Sequence, residues 1–241
     1  MKIGLAQIKP FKGDIQQNIL LHLEWIEKAV KEDVDLIVFP ELSLTGYEPE
    51  FAKELALDAD DLRLNVFQNF SDQNEISIAL GAPTQAENGI LISMLIFQPK
   101  KTRKIYSKQM LHSDELPFFI EGTEQIIINQ NDIQIAPAIC YESLQTNHAS
   151  AAKELEANLY LASVAKSQKG VDKAFIHFPK IAQEFEIPVL MVNTVGFCDN
   201  FMSAGQSAVW SSKGELLSNL DSKAQGLLIY NFETKNTTTI Q

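Results

Sequence analysis

The chain has 241 residues, 45% hydrophobic and 21% charged, and its 31 Asp and Glu outweigh 20 Lys and Arg for a formal charge of −11. That apolar content excludes a disordered chain, and 11 Gly with 9 Pro exclude collagen-like or low-complexity structure. An acidic chain with no basic run offers no footprint for a nucleic-acid backbone.

Residues 2–8 read as a strand that Lys9 and Pro10 end too early for a signal peptide. Asp14 is placed to cap a helix whose apolar face is Ile15, Ile19, Leu23, Ile26 and Val30, with His22 on its solvated side. A buried strand follows at 36–39, then a weaker helix over 58–72. Strands are predicted at 76–80, 90–97, 104–106, 125–128 and 133–139, with Glu87-Asn88-Gly89 as a turn. The second half alternates helix 147–157, strand 159–165, helix 172–186 and strand 189–193, and ends in strands at 206–211 and 226–231. Asn236-Thr237-Thr238-Thr239 reads as a frayed tail. Continuous apolar strands flanked by helices mean sheets covered by helices. No linker, repeat or composition break divides the chain, so one domain over 1–241 is expected. No stretch approaches the roughly 20 apolar residues that span a bilayer. With two cysteines and no disulfide framework, a soluble chain of the cytoplasm, without a membrane partner, is the reading.

Chemistry concentrates at strand ends. Cys140 follows the strand 133–139, where open α/β sheets bind ligands. It reads either as a packed core cysteine or as a nucleophile. A free thiol near pKa 8.5 is only about 3% ionised at neutral pH, so a nucleophile there needs help. Of the four histidines, His22, His148 and His177 fall on predicted helices, and no local signature joins any of them to Cys140. The carboxylate alternative is Glu41, directly after Leu36-Ile37-Val38-Phe39-Pro40. Burial or a second carboxylate would raise its pKa toward that of the thiol. The segment from Tyr106 to Phe119 offers a cation, Lys108, and a further carboxylate, Glu115. There is no CxxC, HxH or HExxH pattern, so no metal and no other cofactor is expected.

In order, Phe39-Pro40-Glu41 with Thr45-Gly46-Tyr47, Tyr106-Ser107-Lys108, and Glu115 with Phe118-Phe119 and Gly122 resemble the nitrilase, or carbon–nitrogen hydrolase, superfamily. Ile139-Cys140-Tyr141-Glu142, Asn193-Thr194-Val195-Gly196 and Gly205-Gln206-Ser207 continue the match across almost the whole chain. The resemblance implies an α-β-β-α sandwich, which accommodates the surplus of strands better than one doubly wound sheet, and pairing into homodimers or larger homo-oligomers. It implies that Glu41 is a general base, Cys140 the nucleophile that forms a thioester acyl-enzyme, and Lys108, with the N–H of Tyr141, the oxyanion donor. Glu115 then orients Lys108 and, as a like charge, helps keep Glu41 protonatable.

The implied substrate is a small molecule with an amide-type bond, and a nitrile or carbamoyl compound is compatible. Substrate contacts are expected from Tyr47, Phe118, Tyr141, Glu142 and the stretch 163–166, on position alone. Where many amidases of the family carry Tyr-Asp-x-Arg after the nucleophile, this chain has Tyr141-Glu142-Ser143-Leu144, without the arginine that often anchors an acidic substrate. Acyl transfer to an amine shares the same acyl-enzyme, and a catalytically silent binding protein on the same fold is the alternative of another class. Cys198 carries no readable role.

Overall fold

The computed structural model describes residues 1–58 and 60–241. The first half of the chain runs β1 (Lys2–Gln7), α1 (Ile15–Lys31), β2 (Leu36–Val38), α2 (Ala52–Leu55), α3 (Asn65–Asn74), β3 (Ser77–Ala86), β4 (Gly89–Phe97) and β5 (Lys104–Ser107). The middle contains β6 (Ile128–Gln130), β7 (Ile133–Ile139), α4 (Thr146–Glu154), β8 (Leu159–Val164), α5 (Gln168–Phe185) and β9 (Val189–Asn193). The last part is a run of strands, β10 (Val195–Cys198), β11 (Phe201–Ala204), β12 (Ala208–Trp210), β13 (Leu216–Asn219), β14 (Gly226–Asn231) and β15 (Thr237–Ile240).

These strands form a seven-stranded sheet in the order β15-β14-β1-β2-β3-β4-β5 and a six-stranded sheet in the order β13-β12-β9-β8-β7-β6. The centre of each is parallel, β1-β2-β3 in one and β7-β8-β9 in the other. Side chains alternate between two environments along each central strand, as the pleat requires. Ile3, Leu5, Leu36 and Val38 meet Ile135, Leu159, Leu161 and Leu190 in one apolar cluster between the sheets. On the outer side of the first sheet, Ile37, Phe39 and Ile78 pack with Ile19, Trp25, Ile26 and Phe67 of α1 and α3. On the outer side of the second, Tyr160, Ala162 and Val164 pack with Ala149, Ala174, Phe178 and Ile181 of α4 and α5. The result is the expected α-β-β-α sandwich. Every central strand is apolar on both faces because both are covered.

Local chemistry sets the helix ends. The Asp14 carboxylate accepts from the Gln17 N–H at 3.0 Å, and Lys28 and Lys31 lie in the last turn of α1, opposite the negative end of its dipole. The buried face of this helix is Asn18, Ile19, His22, Trp25, Ile26 and Ala29, so it is rotated from the predicted one. His22 is inside, not solvated. Its Nδ1–H donates to the Asn18 carbonyl at 2.6 Å and its Nε2 accepts from Ser43 Oγ at 2.9 Å. An apolar count overlooks a histidine whose two nitrogens both find partners.

Several predicted boundaries move. The helix read over 58–72 is a 3₁₀ turn at Leu62–Leu64 followed by α3, and Ala59 lies outside the described residues. Strand 125–128 is observed as Ile128–Gln130, and α5 begins four residues earlier than expected. The β10–β11 hairpin and β13 were not predicted. The supposed frayed tail is β15, in antiparallel register with β14 from Leu227↔Ile240 to Tyr230↔Thr237. Its short polar sequence carries no strand pattern, but the β14 edge supplies the partners for its backbone. No helix among the described residues is long and apolar enough to cross a membrane.

Candidate active site

The site lies where the two sheets bring their strand ends together. Glu41 follows β2, Cys140 follows β7 and Lys166 follows β8, all at carboxyl ends of parallel strands, where such sheets bind ligands. Ser163 Oγ donates to the Phe39 carbonyl at 2.9 Å and ties the end of β8 to the end of β2.

Two glycines let the Glu41 and Lys108 segments approach. A Cβ on Gly81 in β3 would lie 2.3 Å from the Leu42 nitrogen and 2.6 Å from the Pro40 carbonyl oxygen, so the Glu41 turn can sit on that strand because the side chain is missing. A Cβ on Gly122 would lie 2.4 Å from the Ser107 carbonyl oxygen, and the Gly122 N–H donates to the Lys108 carbonyl at 2.7 Å. Lys108 itself extends β5, its N–H donating to the Ile92 carbonyl at 2.8 Å.

Lys108, Glu41 and Glu115 are fully buried together. The Lys108 ammonium donates to Glu41 Oε1 and to Glu115 Oε1, each at 2.7 Å. Glu115 is held further by the Tyr47 hydroxyl at 2.9 Å and by the His112 N–H on Oε2 at 2.7 Å. Burial would push the lysine down, but the two carboxylates outweigh it and hold Lys108 above its ordinary value. Burial, helped by the Glu115 charge, pushes Glu41 up against the pull of Lys108. The second Glu41 oxygen, Oε2, is buried and has no hydrogen-bond partner among the described residues. A proton acceptor is thereby left open beside a cation that occupies Oε1.

Cys140 adopts φ +48°, in the left-handed region, so its side chain turns off the end of β7 into the cavity. Its N–H donates to the Ser163 carbonyl at 3.0 Å, and its carbonyl accepts from Ser143 Oγ at 2.6 Å and from the Lys166 ammonium at 3.3 Å. The thiol points to the Ala165 carbonyl at 3.7 Å, with the Lys166 ammonium 3.7 Å from Sγ. Burial pushes the thiol up to about 11, with the Glu41 charge adding to the rise and Lys166 and Lys108 opposing it. At pH 7 such a thiol is ionised to only about one part in 10⁴, so its proton must leave to a base as the sulfur reacts.

A cavity of about 550 Å³ opens over Cys140 and Glu115, within the range of small-molecule sites. Tyr47, Leu144, Ala165, Ile176 and Phe201 give it apolar walls, and His112, Tyr141, Lys166, Lys173 and His177 line it with polar atoms. Tyr47 and Phe201 stack edge-on, 5.7 Å between ring centres.

Two expected substrate contacts stand elsewhere. Glu142 is fully buried beneath the site. Its carboxylate takes the Ile139 N–H at 2.7 Å, the Tyr106 hydroxyl at 2.6 Å and the Gln109 N–H at 2.6 Å, so it braces the Cys140 turn against the Lys108 strand and does not line the cavity. Burial pushes it up to about 7 despite those donors. Phe118 follows Glu115 in the same turn but is not among the residues that line the cavity and is 36% exposed. His148, on the helix α4, is buried and hydrogen-bonded between the Tyr106 and Tyr160 hydroxyls at 2.9 and 2.7 Å. Cys198 is buried between the sheets and is pushed up to about 12 by burial.

Lys166 and His177 are the polar groups of this cavity whose chemistry the sequence reading missed. Lys166 ends the stretch 163–166 singled out by position, directly after an apolar strand, and that is the signal that could have found it. The Asn193 and Ser207 segments also gain a role. Asn193 Oδ1 accepts from the Lys166 N–H at 2.8 Å and its Nδ2 donates to the Lys166 carbonyl at 3.1 Å, while Ser207 Oγ donates to Gln7 Oε1 at 2.9 Å.

The carbon-nitrogen hydrolase family model matches residues 2–240. The chain belongs to the carbon–nitrogen hydrolase family. Among relatives of this chain, the glutamine-dependent NAD(+) synthetase of Thermotoga maritima is 25% identical over 90% of the chain, which spans only 39% of that protein. An (R)-stereoselective amidase of a Pseudomonas species is 25% identical, over 90% of this chain and 80% of the amidase. An amidase from Nesterenkonia sp. AN1, solved with the acetamide moiety of fluoroacetamide covalently added at its active-site cysteine, superimposes with a TM-score of 0.86. It is 21% identical and the match covers 95% of this chain and 89% of that one, a likeness of fold.

Proposed function

We propose that the hydrolase cleaves a non-peptide carbon–nitrogen bond, an amide, through a thioester acyl-enzyme on Cys140. The observation that carries this reading is the buried Glu41–Lys108–Glu115 cluster beside a cysteine that opens into a cavity of substrate size. Glu41 Oε2 takes the thiol proton as Sγ attacks the amide carbon. The carbonyl oxygen becomes an oxyanion that Lys108 and the Tyr141 N–H stabilise, and one such donor is commonly worth about 3–4 kcal/mol. Collapse breaks the C–N bond, and the proton on Glu41 passes to the leaving ammonia or amine. Glu41 then takes a proton from water, which attacks the thioester and releases the acid. Glu115 and Tyr47 hold Lys108 in place throughout, and burial keeps the Tyr47 phenol protonated as a donor.

Residues 1–241 act in this reading as one hydrolase domain. A small-molecule amide is the partner, and two unpaired thiols, Cys140 and Cys198, suit the cytoplasm. Pairing into a homodimer or a larger homo-oligomer is part of the same reading. The test is ammonia and acid release from a panel of amides, nitriles and carbamoyl compounds. Turnover of amides is expected, with Cys140→Ala folded but inactive and Cys198→Ala active. Equal rates for the wild type and Cys140→Ala, or no amide turned over, would refute the proposal.

A further inference from the structure

A second cation faces the nucleophile. Lys166 is 6% exposed, and its backbone is clamped by Asn193, by Ser203 Oγ at 3.0 Å and by the Ala204 N–H at 2.9 Å. Its stem lies against Gly170, where an added Cβ would meet the Lys166 Cβ at 3.1 Å. This lysine is therefore held in place, with little side-chain freedom left to lose. Its ammonium reaches the Cys140 carbonyl at 3.3 Å and Sγ at 3.7 Å, both uncharged partners. Lys108 differs, because its charge is already shared between two carboxylates at 2.7 Å.

Charge balance says what the second ammonium does. Glu41 and Glu115 supply two negative charges and Lys108 one positive charge, all buried. Moving the thiol proton to Glu41 leaves that balance unchanged but places the negative charge on sulfur. Lys108 alone leaves the buried group with one uncompensated negative charge, which is costly away from water. Lys166 brings the group to neutrality and stands on the sulfur.

We propose that Lys166 is a further catalytic residue, the cation that stabilises the Cys140 thiolate as Glu41 removes its proton and that fixes the left-handed nucleophile turn through the Cys140 carbonyl. The role rests on Cys140 being the nucleophile. The charged or titratable groups facing this thiol are Glu41 after β2, Tyr47 beyond it, Lys108 after β5, Glu115 in the following turn, Lys166 after β8 and Cys198 at the end of β10. His177, on α5, is held down by burial and by the charges of Lys180 and Lys166.

The test is the rate of inactivation by iodoacetamide against pH, without substrate, for the wild type, Lys166→Met, Lys166→Gln and Lys166→Arg, with Cys140→Ala as the alkylation control. Loss of an opposite charge at this distance is expected to raise the alkylation midpoint by about one to two pH units in the Met and Gln variants, and Arg should restore most of it. Turnover of a neutral amide should fall about tenfold or more in kcat, with KM nearly unchanged. An unchanged midpoint in a folded Met or Gln variant overturns the proposal. A loss confined to KM for anionic amides overturns it in favour of a substrate anchor. Failure of Cys140→Ala to abolish alkylation marks a different nucleophile, a failure of the parent reading rather than of the Lys166 role.

Discussion

Glu41→Gln separates the two effects of Glu41, as an acceptor and as a charge. Oε1 already accepts from Lys108 at 2.7 Å, and an amide NH₂ cannot lie against an ammonium, so the glutamine oxygen must take that place. The amide nitrogen then occupies the position of Oε2, the buried oxygen without a hydrogen-bond partner, and it cannot accept a proton. Loss of a general base costs about 10²–10⁴ in rate, about 3–5.5 kcal/mol on the barrier. The charge works in the other direction. After burial, the Glu41 charge is the largest cause holding the thiol up at about 11, so its removal lowers the alkylation midpoint. Glu41→Gln is therefore expected to react faster with iodoacetamide near neutral pH while hydrolysing amides far more slowly. Stopped-flow alkylation and ammonia release on the same preparation measure both. Amide turnover within about threefold of wild type, or a raised alkylation midpoint, contradicts the assignment.

Two further outcomes test the frame around the site. Gly81→Ala drives a methyl group into the Glu41 turn, 2.3 Å from the Leu42 nitrogen; a stability loss of about 1–3 kcal/mol in urea and a larger proportional loss of kcat are expected, since a misplacement of about 1 Å can cost 10²-fold. Unchanged kcat would mean that the glycine does not position Glu41. His22 is pushed down to about 4 by burial from an ordinary 6.5, so between those values the unfolded chain binds a proton that the folded chain does not. Stability therefore rises with pH through this window and is lost as pH falls, by up to about 3 kcal/mol. His148, held down in the same way, acts with the same sign. Urea midpoints at several pH values should show a shallower dependence in His22→Gln than in wild type, and identical slopes would exclude this contribution.

Sheets covered by helices were legible because the central strands are short, largely apolar runs flanked by helical periods, and the two-sheet sandwich was what the family resemblance implied and the surplus of strands suited. Glu41, Lys108 and Cys140 were legible as chemistry-bearing residues at strand ends, and Glu115 as a carboxylate in the segment that follows Lys108. Glu142 was misplaced because adjacency in sequence to Cys140 says nothing of which buried donors claim its carboxylate, and nothing in the residues around Phe118 foretells that it stands outside the cavity lining. The Tyr106 hydroxyl and three backbone N–H groups claim Glu142. The α1 face was misjudged because Asn18 and His22 are buried by hydrogen bonding, which hydropathy does not register.

Composition and periodicity settle which segments become buried strands, since burial on both faces demands apolar residues at both parities. They cannot settle which strand ends meet. The 2.7 Å bond from Lys108 to Glu41, 67 positions away, exists because β2 and β5 lie in one sheet, joined through β3 and β4, and Gly81 and Gly122 admit the turns, while Cys140 is brought to them by the second sheet packed against the first. Lys166 at the sulfur and β15 on the sheet edge are of the same kind. Each is an ordinary polar segment along the chain, and each gains its place from groups that only packing brings within reach.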